Sequence, residues 1–185
     1  VTPRLETLRN QLSAIIHTEI STNIHGLLWG KLTWNATVNG LGAVAGHTFG
    51  ELVSTDLGRD LTLRGYTEVI DVARALGVEV VPEVVGPTTA LHLPSGADAG
   101  ARRQRYDVLH AMTETFAAVY PSSLQSLERG RPTETAFLNG HVVAKAQIVG
   151  VEVPLNTALI DMIAEIERGE REITPANLHD LAAYR

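Results

Sequence analysis

Apolar side chains recur at helical spacing along most of this chain. The pattern covers residues 2–16, 55–76, 101–119, 135–149 and 157–168. Positions three or four apart lie on one face of an α-helix, so each stretch predicts a helix with one buried side. Proline, glycine and short polar segments separate these stretches. We therefore expect an all-α domain whose helices are joined by short connections.

Two parts of the sequence allow a different interpretation. Residues 78–85 are rich in β-branched side chains and could form one short strand. Gly40, Gly42 and Gly46 imitate a dinucleotide-binding loop, and Asp60 stands at roughly the spacing of the acidic residue that such sites need. That fingerprint requires a strand before the glycines, however, and the preceding residues fit a helix better. We expect a kink or a close backbone approach at these glycines instead.

The composition excludes several classes of protein. A length of 185 residues is enough for one domain with a real core. The formal net charge of -6 and the lack of a Lys/Arg cluster argue against nucleic-acid binding, and no apolar run approaches the roughly 20 residues of a membrane span. The chain has no cysteine, which excludes disulfides and thiol catalysis and fits a cytoplasmic protein. The seven histidines are scattered without a close pair, so the sequence indicates no metal site.

Lys31, Asn35 and Asn39 form a polar stripe in an otherwise apolar helical stretch. Four residues are slightly more than one turn of an α-helix, so the three side chains share one face. An ammonium and two carboxamides are costly to bury unless something hydrogen-bonds them, and a polar small molecule is one candidate. The alternative is that Lys31 extends into water while both asparagines bond to neighbouring backbone.

A second polar stretch lies about ninety residues further along the chain. Ser122 or Ser123 can cap a short helix that ends at Gly130. Thr133 can then cap the next helix, with Glu134 in its first turn, where the helix dipole favours a carboxylate. The position of Glu134 alone is therefore explained by a structural role.

The two polar stretches belong to a longer series of motifs that follow one another in a fixed order. The series consists of Trp29-x-Lys31-Leu32-x-x-Asn35-x-x-x-Asn39, Ser122, Gln125, Gly130-Arg131-Pro132-Thr133-Glu134, Leu138-Asn139-Gly140 and Gly150-Val151-x-x-Pro154-x-Asn156. Each motif alone is a weak signal, but their order, spacing and joint presence are specific. In these motifs, over nearly its whole length, the chain resembles the C-terminal domain of ketopantoate reductase (2-dehydropantoate 2-reductase).

The resemblance implies an all-α fold of the 6-phosphogluconate dehydrogenase C-terminal-like type. It implies that a Rossmann domain precedes this domain in the whole protein and holds NADPH, so that no cofactor-binding residue is assigned here. We expect residues 1–22 to form an inter-domain approach with a helix and residues 23–185 to form the helical domain. The implied reaction is reduction of 2-dehydropantoate to (R)-pantoate, a step towards pantothenate and coenzyme A, with no turnover by this chain alone.

The resemblance also implies a role for each site residue. Lys31 matches the family's lysine general acid, and Glu134 matches its active-site glutamate. Asn35 and Asn39 match its substrate-binding asparagines, and Ser122 matches its substrate-contacting serine. The chemistry agrees, because hydride arriving at a ketone carbon leaves negative charge on oxygen that an ammonium can stabilise and protonate.

Two positions depart from the pattern that the resemblance implies. The family usually has Met after the serine and Asp three positions further on, where this chain has Ser123 and Ser126. These differences leave open whether Ser122 or Ser123 contacts the substrate, and which 2-oxo acid is reduced. The alternatives are a reductase of another 2-oxo acid and a helical module that acts in dimerisation or partner binding, including a homodimer.

Overall fold

Helices account for all regular structure in the part of the chain that the structure describes. The computed structural model describes residues 1–81 and 86–184. The all-α prediction is confirmed there, and residues 78–81 form no strand, whereas residues 82–85 lie outside the described residues. The elements are α1 (Pro3–Ser13), α2 (Ile24–Trp34), a π-helical turn (Asn35–Asn39), α3 (Gly40–Ala45), α4 (Phe49–Ser54), α5 (Asp56–Ala75), a 3₁₀ turn (Thr88–Leu91), α6 (Ala99–Glu114), α7 (Ser122–Glu128), α8 (Thr135–Val149), α9 (Pro154–Glu167) and α10 (Ala176–Ala183).

Helix α5 is the centre of the domain. It is 20 residues long and packs against α2, the π turn, α4, α8, α9 and α10. Its apolar spacing could also be interpreted as a helix interrupted around Gly65, but the helix continues through this residue. Gly65 instead allows a close approach: a Cβ atom at this position would lie 2.5 Å from Cγ2 of Thr37.

The core consists of two apolar clusters that meet at the π turn. Trp34 and Val38 belong to the larger cluster, which includes residues of α3, α4, α5, α9 and α10. Trp29 and Ala36 belong to the smaller cluster, which joins α2 to α5 and α8. Alternate side chains of one helical run therefore enter both clusters, which fixes the π turn on several sides.

Several predicted helix ends differ in the structure. Helix α1 ends at Ser13 and not at residue 16, and α9 begins at Pro154 and not at residue 157. Thr22 is a possible cap for α2 by sequence, but the cap is Asn23, whose side chain accepts the Gly26 N–H at 2.9 Å. Helix α6 ends at Glu114, before the predicted end at Val119. The carbonyls of residues 117 and 119 instead accept the backbone N–H groups of residues 50 and 49, at 2.9 and 3.1 Å, and so satisfy donors at the start of α4.

Helix α1 stands apart from the rest of the domain. None of its residues is buried, and Leu5, Leu8 and Leu12 are exposed on it. Their spacing of three and four residues makes α1 amphipathic. Over the described residues, no helix has the length and apolar character needed to cross a membrane.

Candidate active site

The predicted polar stripe lies on a helical run that is not α-helical throughout. Lys31 is in the last turn of α2, whereas Asn35 and Asn39 are the first and last residues of the π turn. In a π turn each N–H reaches back five residues instead of four, so the helix is locally widened. Such turns are rare in proteins, and those that occur are often found at functional sites. The sequence pattern predicted a helix through these residues, which is confirmed, but it did not predict the π turn.

The two asparagines are hydrogen-bonded to each other, while the lysine points outward. Nδ2 of Asn39 donates to Oδ1 of Asn35 at 3.2 Å. Asn39 is buried, Asn35 is partly buried and Lys31 is exposed. The stripe therefore runs from the interior to the surface, with the ammonium at its outer end. The exposed Lys31 agrees with the structural alternative, whereas among the described residues neither asparagine side chain bonds to neighbouring backbone, contrary to its other part.

Ser122 is held at the start of α7 by a contact between helices. Pro121 is buried and lies so close to α3 that a Cβ at Gly42 would be 2.6 Å from the proline Cγ. The glycine prediction of a close backbone approach is confirmed at this point. Ser122 is exposed, whereas Ser123 is buried. The prediction that one of these serines caps α7 is wrong, because Pro121 occupies the cap position and no side chain caps the helix.

Glu134 lies immediately before α8 and is exposed. It occupies the cap position itself, one residue earlier than predicted, and its carboxylate makes no capping hydrogen bond. The Thr133 hydroxyl accepts the Thr135 N–H at 3.3 Å and also donates to Glu167. Capping therefore does not occupy the Glu134 carboxylate, which leaves it available to a ligand.

A series of buried polar side chains, which the sequence analysis did not assign, is hydrogen-bonded to the backbone of the π turn; we call it the buried polar chain. Asn139 of α8 donates through Nδ2 to the Ala36 carbonyl at 2.7 Å and to Oδ1 of Asn156 at 3.0 Å. Nδ2 of Asn156 in turn donates to Glu68 Oε2 at 2.8 Å. Asn139 and Asn156 are each 1% exposed. Both asparagines occur in the motif series. The sequence feature that could have indicated their role is a polar side chain on an otherwise apolar helix face.

Glu68 anchors this chain at the N-terminus of α9. Its carboxylate accepts the backbone N–H groups of Leu155 and Asn156 at 2.9 and 3.0 Å. Burial raises the pKa of the Glu68 carboxyl, and the hydrogen bonds from Asn156 and Leu155 and the charge of Arg64 oppose that rise. The carboxylate thus serves as an N-cap that comes from another helix.

The π turn is the point where the elements of the predicted site meet. It packs against both α7 and α8, whose first residues follow Pro121 and Glu134. Among the described residues, the side chains of Lys31, Ser122 and Glu134 make no hydrogen bond. The candidate site therefore combines a carboxamide pair, of which Asn39 is buried and Asn35 partly buried, with three exposed polar groups.

The glycines that imitate a dinucleotide loop have a different role. Gly40 and Gly42 are buried inside α3, and Gly46 ends that helix with φ of 70°. A Cβ at Gly40 would lie 3.3 Å from Leu159 of α9, so this glycine permits helix packing. In the described part of the chain, no group of three or more His, Asp and Glu side chains could hold a metal ion.

Comparison with known proteins identifies the family. The model of the family described as ketopantoate reductase PanE/ApbA C terminal matches residues 23–167. The chain belongs to this family. The resemblance predicted from the motifs is thus confirmed, and the ketopantoate reductase C-terminal domain is the helical unit described above.

Curated relatives are 27–29% identical to this chain over the aligned residues. A 2-dehydropantoate 2-reductase of Pyrococcus horikoshii is 29% identical over 144 residues, which are 78% of this chain and 41% of the relative. One of Archaeoglobus fulgidus is 27% identical over 164 residues, 89% of this chain and 47% of the relative. The chain thus spans less than half the length of these curated relatives.

Solved structures show the same fold. A PanE/ApbA family ketopantoate reductase from Ralstonia eutropha matches with a TM-score of 0.71 and 28% identity, covering 92% of this chain and 51% of that one. A ternary complex of D-mandelate dehydrogenase with NADH and anilino(oxo)acetate matches with a TM-score of 0.70 and 23% identity, covering 90% and 49%. At that identity the second likeness concerns the fold alone.

Proposed function

We propose that this chain is the substrate-binding and catalytic domain of an NADPH-dependent 2-dehydropantoate 2-reductase, which produces (R)-pantoate for pantothenate and coenzyme A. The observation that carries the proposal is the helical run in which exposed Lys31 is followed by the hydrogen-bonded pair Asn35 and Asn39 on a π turn. Family membership supports it, because relatives over this region are named 2-dehydropantoate 2-reductase.

Lys31 acts as the general acid in this proposal. Reduction of a ketone places developing negative charge on the carbonyl oxygen, and a nearby ammonium stabilises that charge before it donates a proton. The lysine lies at the outer end of the polar stripe, where a substrate carbonyl can reach it. Its exposure in this chain leaves the ammonium free to contact a ligand.

The remaining site residues bind and orient the substrate. The carboxamides of Asn35 and Asn39 keep unused hydrogen-bonding capacity beyond their mutual bond and can hold the polar groups of the 2-oxo acid. The Glu134 carboxylate can accept from a substrate hydroxyl. Ser122 is favoured over Ser123 as the contacting serine because Ser123 is buried.

The nicotinamide cofactor supplies the hydride, and the described residues contain no glycine loop that fits a dinucleotide. The candidate glycines are packed inside α3, as described above. We therefore expect an upstream Rossmann domain to hold NADPH, in a protein that acts in the cytoplasm. The exposed leucines of α1 offer apolar surface for contact with that domain. This chain alone is expected to show no NADPH oxidation.

The proposal is tested by turnover of 2-dehydropantoate with NADPH in the full-length protein. Replacing the general acid in Lys31→Ala should lower kcat by about 100- to 10,000-fold. Glu134→Ala should lower kcat/KM because a substrate contact is lost. Far-ultraviolet circular dichroism establishes that the variants retain their helices.

The chain offers a matched control for each variant. Lys145 is the only other lysine, and Lys145→Ala removes the same charge from α8. Glu128 at the end of α7 is exposed, as Glu134 is, and Glu128→Ala controls for loss of a surface carboxylate. Equal activity losses in the site variants and their controls would contradict the assigned roles.

A reductase of another 2-oxo acid is the second candidate. Ser123 and Ser126 stand where the resemblance implies Met and Asp, and both lie on α7 beside the π turn. The D-mandelate dehydrogenase structure, which shares this fold, contains the 2-oxo compound anilino(oxo)acetate. Higher kcat/KM for an aryl or branched 2-oxo acid than for 2-dehydropantoate would favour this candidate and retain the roles of Lys31 and Glu134.

A further inference from the structure

The buried polar chain ends on the backbone of the π turn. Its links are the Ala36 carbonyl, Asn139, Asn156 and Glu68, joined by hydrogen bonds of 2.7, 3.0 and 2.8 Å. Glu68 is 7% exposed and both asparagines are 1% exposed. Four elements are connected in this way: the π turn, α8, α9 and α5.

A π turn creates a need for the hydrogen bond that Asn139 provides. Within a π turn each N–H bonds five residues back, and at the end of this one the Gly40 N–H bonds to the Thr37 carbonyl, only three residues back. One carbonyl is therefore passed over at the junction and has no helical partner. A buried carbonyl without a donor is unfavourable. Ala36 lies inside the turn and is fully buried, and its carbonyl accepts the Asn139 amide.

The links behind Asn139 determine which way its amide faces. A carboxylate only accepts hydrogen bonds, so Glu68 requires the NH₂ group of Asn156 to face it. The oxygen of Asn156 then faces Asn139, which must present its own NH₂ group. That same NH₂ group reaches Ala36. The orientation of the Asn139 amide thus follows from the negative charge of the Glu68 carboxylate.

We propose that Asn139 is a positioning residue for the reductase site, and that Asn156 and Glu68 hold it in place. By occupying the Ala36 carbonyl, Asn139 stabilises the widened turn and so sets where Asn35 and Asn39 point relative to Lys31. This inference rests on the proposed function. It assigns no contact between Asn139 and substrate, since Asn139 is buried.

The test compares two buried asparagines that make similar bonds to the same helical run. Asn177 donates through Nδ2 to the carbonyls of Val44 and Glu172 at 2.8 and 2.9 Å, and it is 2% exposed. It thus supports α3 beyond the π turn. Asn139→Leu and Asn177→Leu each remove two donated hydrogen bonds and keep the number and branching of the side-chain heavy atoms; Asn177→Leu also removes the bond that Asn177 Oδ1 accepts from Arg171 at 2.9 Å. Both variants should therefore lose stability, but only one should disturb the turn.

In the full-length protein, Asn139→Leu should lower kcat/KM for 2-dehydropantoate by about 100-fold, because misplacement of orienting groups by about 1 Å has effects of that size. Asn177→Leu should retain near-wild-type kcat/KM at a temperature where both are folded. If a leucine variant does not fold, the pair Asn139→Ala and Asn177→Ala gives the same comparison. Equal losses, or none in either Asn139 variant, would overturn the proposal.

Hydrogen exchange on the same variants provides a readout that needs no turnover. Amide protection across residues 35–41 should fall by about tenfold or more in Asn139→Leu, as expected for one lost hydrogen bond. It should stay near wild type in Asn177→Leu. Unchanged protection in Asn139→Leu would overturn the positioning role. An inactive wild-type protein with the expected exchange pattern would instead contradict the proposed function alone.

Discussion

Replacing Gly65 with alanine should destabilise the domain, although alanine is the better helix former. Gly65 is buried in the middle of α5. A Cβ there would lie 2.5 Å from Cγ2 and 2.8 Å from Oγ1 of Thr37. Carbon atoms in contact normally stand about 3.5–4.0 Å apart. One of the two helical elements must therefore move by roughly 1 Å to accept the methyl group.

The expected magnitude follows from two opposing effects. Alanine gains about 1 kcal/mol of helix propensity over glycine. Overpacking in a filled core costs about 1–3 kcal/mol, and the upper part of that range applies because Thr37 is β-branched, stiff and 1% exposed. We expect the free energy of unfolding of Gly65→Ala to fall by about 1–2 kcal/mol.

Gly140 provides a matched control within the same protein. It lies inside α8, and a Cβ there would have no heavy atom within 4 Å. Gly140→Ala should therefore raise the free energy of unfolding by up to about 1 kcal/mol. Urea unfolding of this chain measures both variants, with an unchanged m-value as the condition for comparing them.

A double variant identifies the contact that is responsible. Thr37→Ala removes both atoms nearest to the new Cβ, together with a hydroxyl that has no hydrogen-bond partner in the described residues. In that background Gly65→Ala should cost little or nothing, which gives a coupling free energy of about 1–2 kcal/mol. A Gly65→Ala variant as stable as Gly140→Ala would refute the reasoning.

Three further predictions concern stability and the site. Burial raises the pKa of the Glu68 carboxyl, so the native state binds the carboxyl proton more tightly than the unfolded state does. Protonation of Glu68 therefore contributes to the free energy of unfolding below about pH 4. This contribution is lost as the pH rises through the folded-state pKa. The unfolding free energy of wild type relative to Glu68→Gln should thus fall as the pH rises above about 4, whereas a difference that does not change with pH would contradict this assignment. Asn23→Ala should lower thermal stability by about 1 kcal/mol through loss of the α2 cap, and an unchanged melting temperature would exclude that role. Gly42→Ala should displace Pro121 and with it Ser122, raising KM for the substrate; wild-type kinetics would show that α7 adapts without moving the serine.

Much of the helical architecture follows from local sequence rules. Helical spacing gives the principal helices, and glycines such as Gly77 and Gly150, with φ of 73° and 70°, mark where two of them end. These signals depend on a few neighbouring residues. The early end of α6 is accompanied by contacts with α4, whose free N–H groups bind the carbonyls of residues 117 and 119 from outside the local sequence.

The π turn and its support are less accessible to sequence reasoning. An extra residue in one helical turn changes the apolar spacing too little to be recognised in a short stretch. The bond from Asn139 to Ala36 joins residues 103 positions apart, and the bond from Asn156 to Glu68 joins residues 88 apart. Neither partner is specified by its own surroundings in sequence. The resemblance indicated that Asn139 and Asn156 matter, but only the packing of α8 and α9 shows what they bind.

The assigned roles differ in what supports them. Lys31, Asn35 and Asn39 share one helical run, so their proximity could be predicted from spacing. Ser122 and Glu134 stand at the starts of α7 and α8, which both pack against the π turn. Their position was predicted by resemblance alone, and their contacts with substrate stay a prediction.

The most direct test of the account is amine rescue of Lys31→Ala in the full-length protein. If the Lys31 ammonium is the general acid, the variant should lose about 100- to 10,000-fold in kcat, and added methylamine or ethylamine should restore part of it, increasingly with amine concentration. Lys145→Ala should remain active and unaffected by either amine. A Lys31→Ala variant that keeps wild-type turnover, or one whose loss neither amine changes, would contradict the claim that Lys31 protonates the reduced carbonyl.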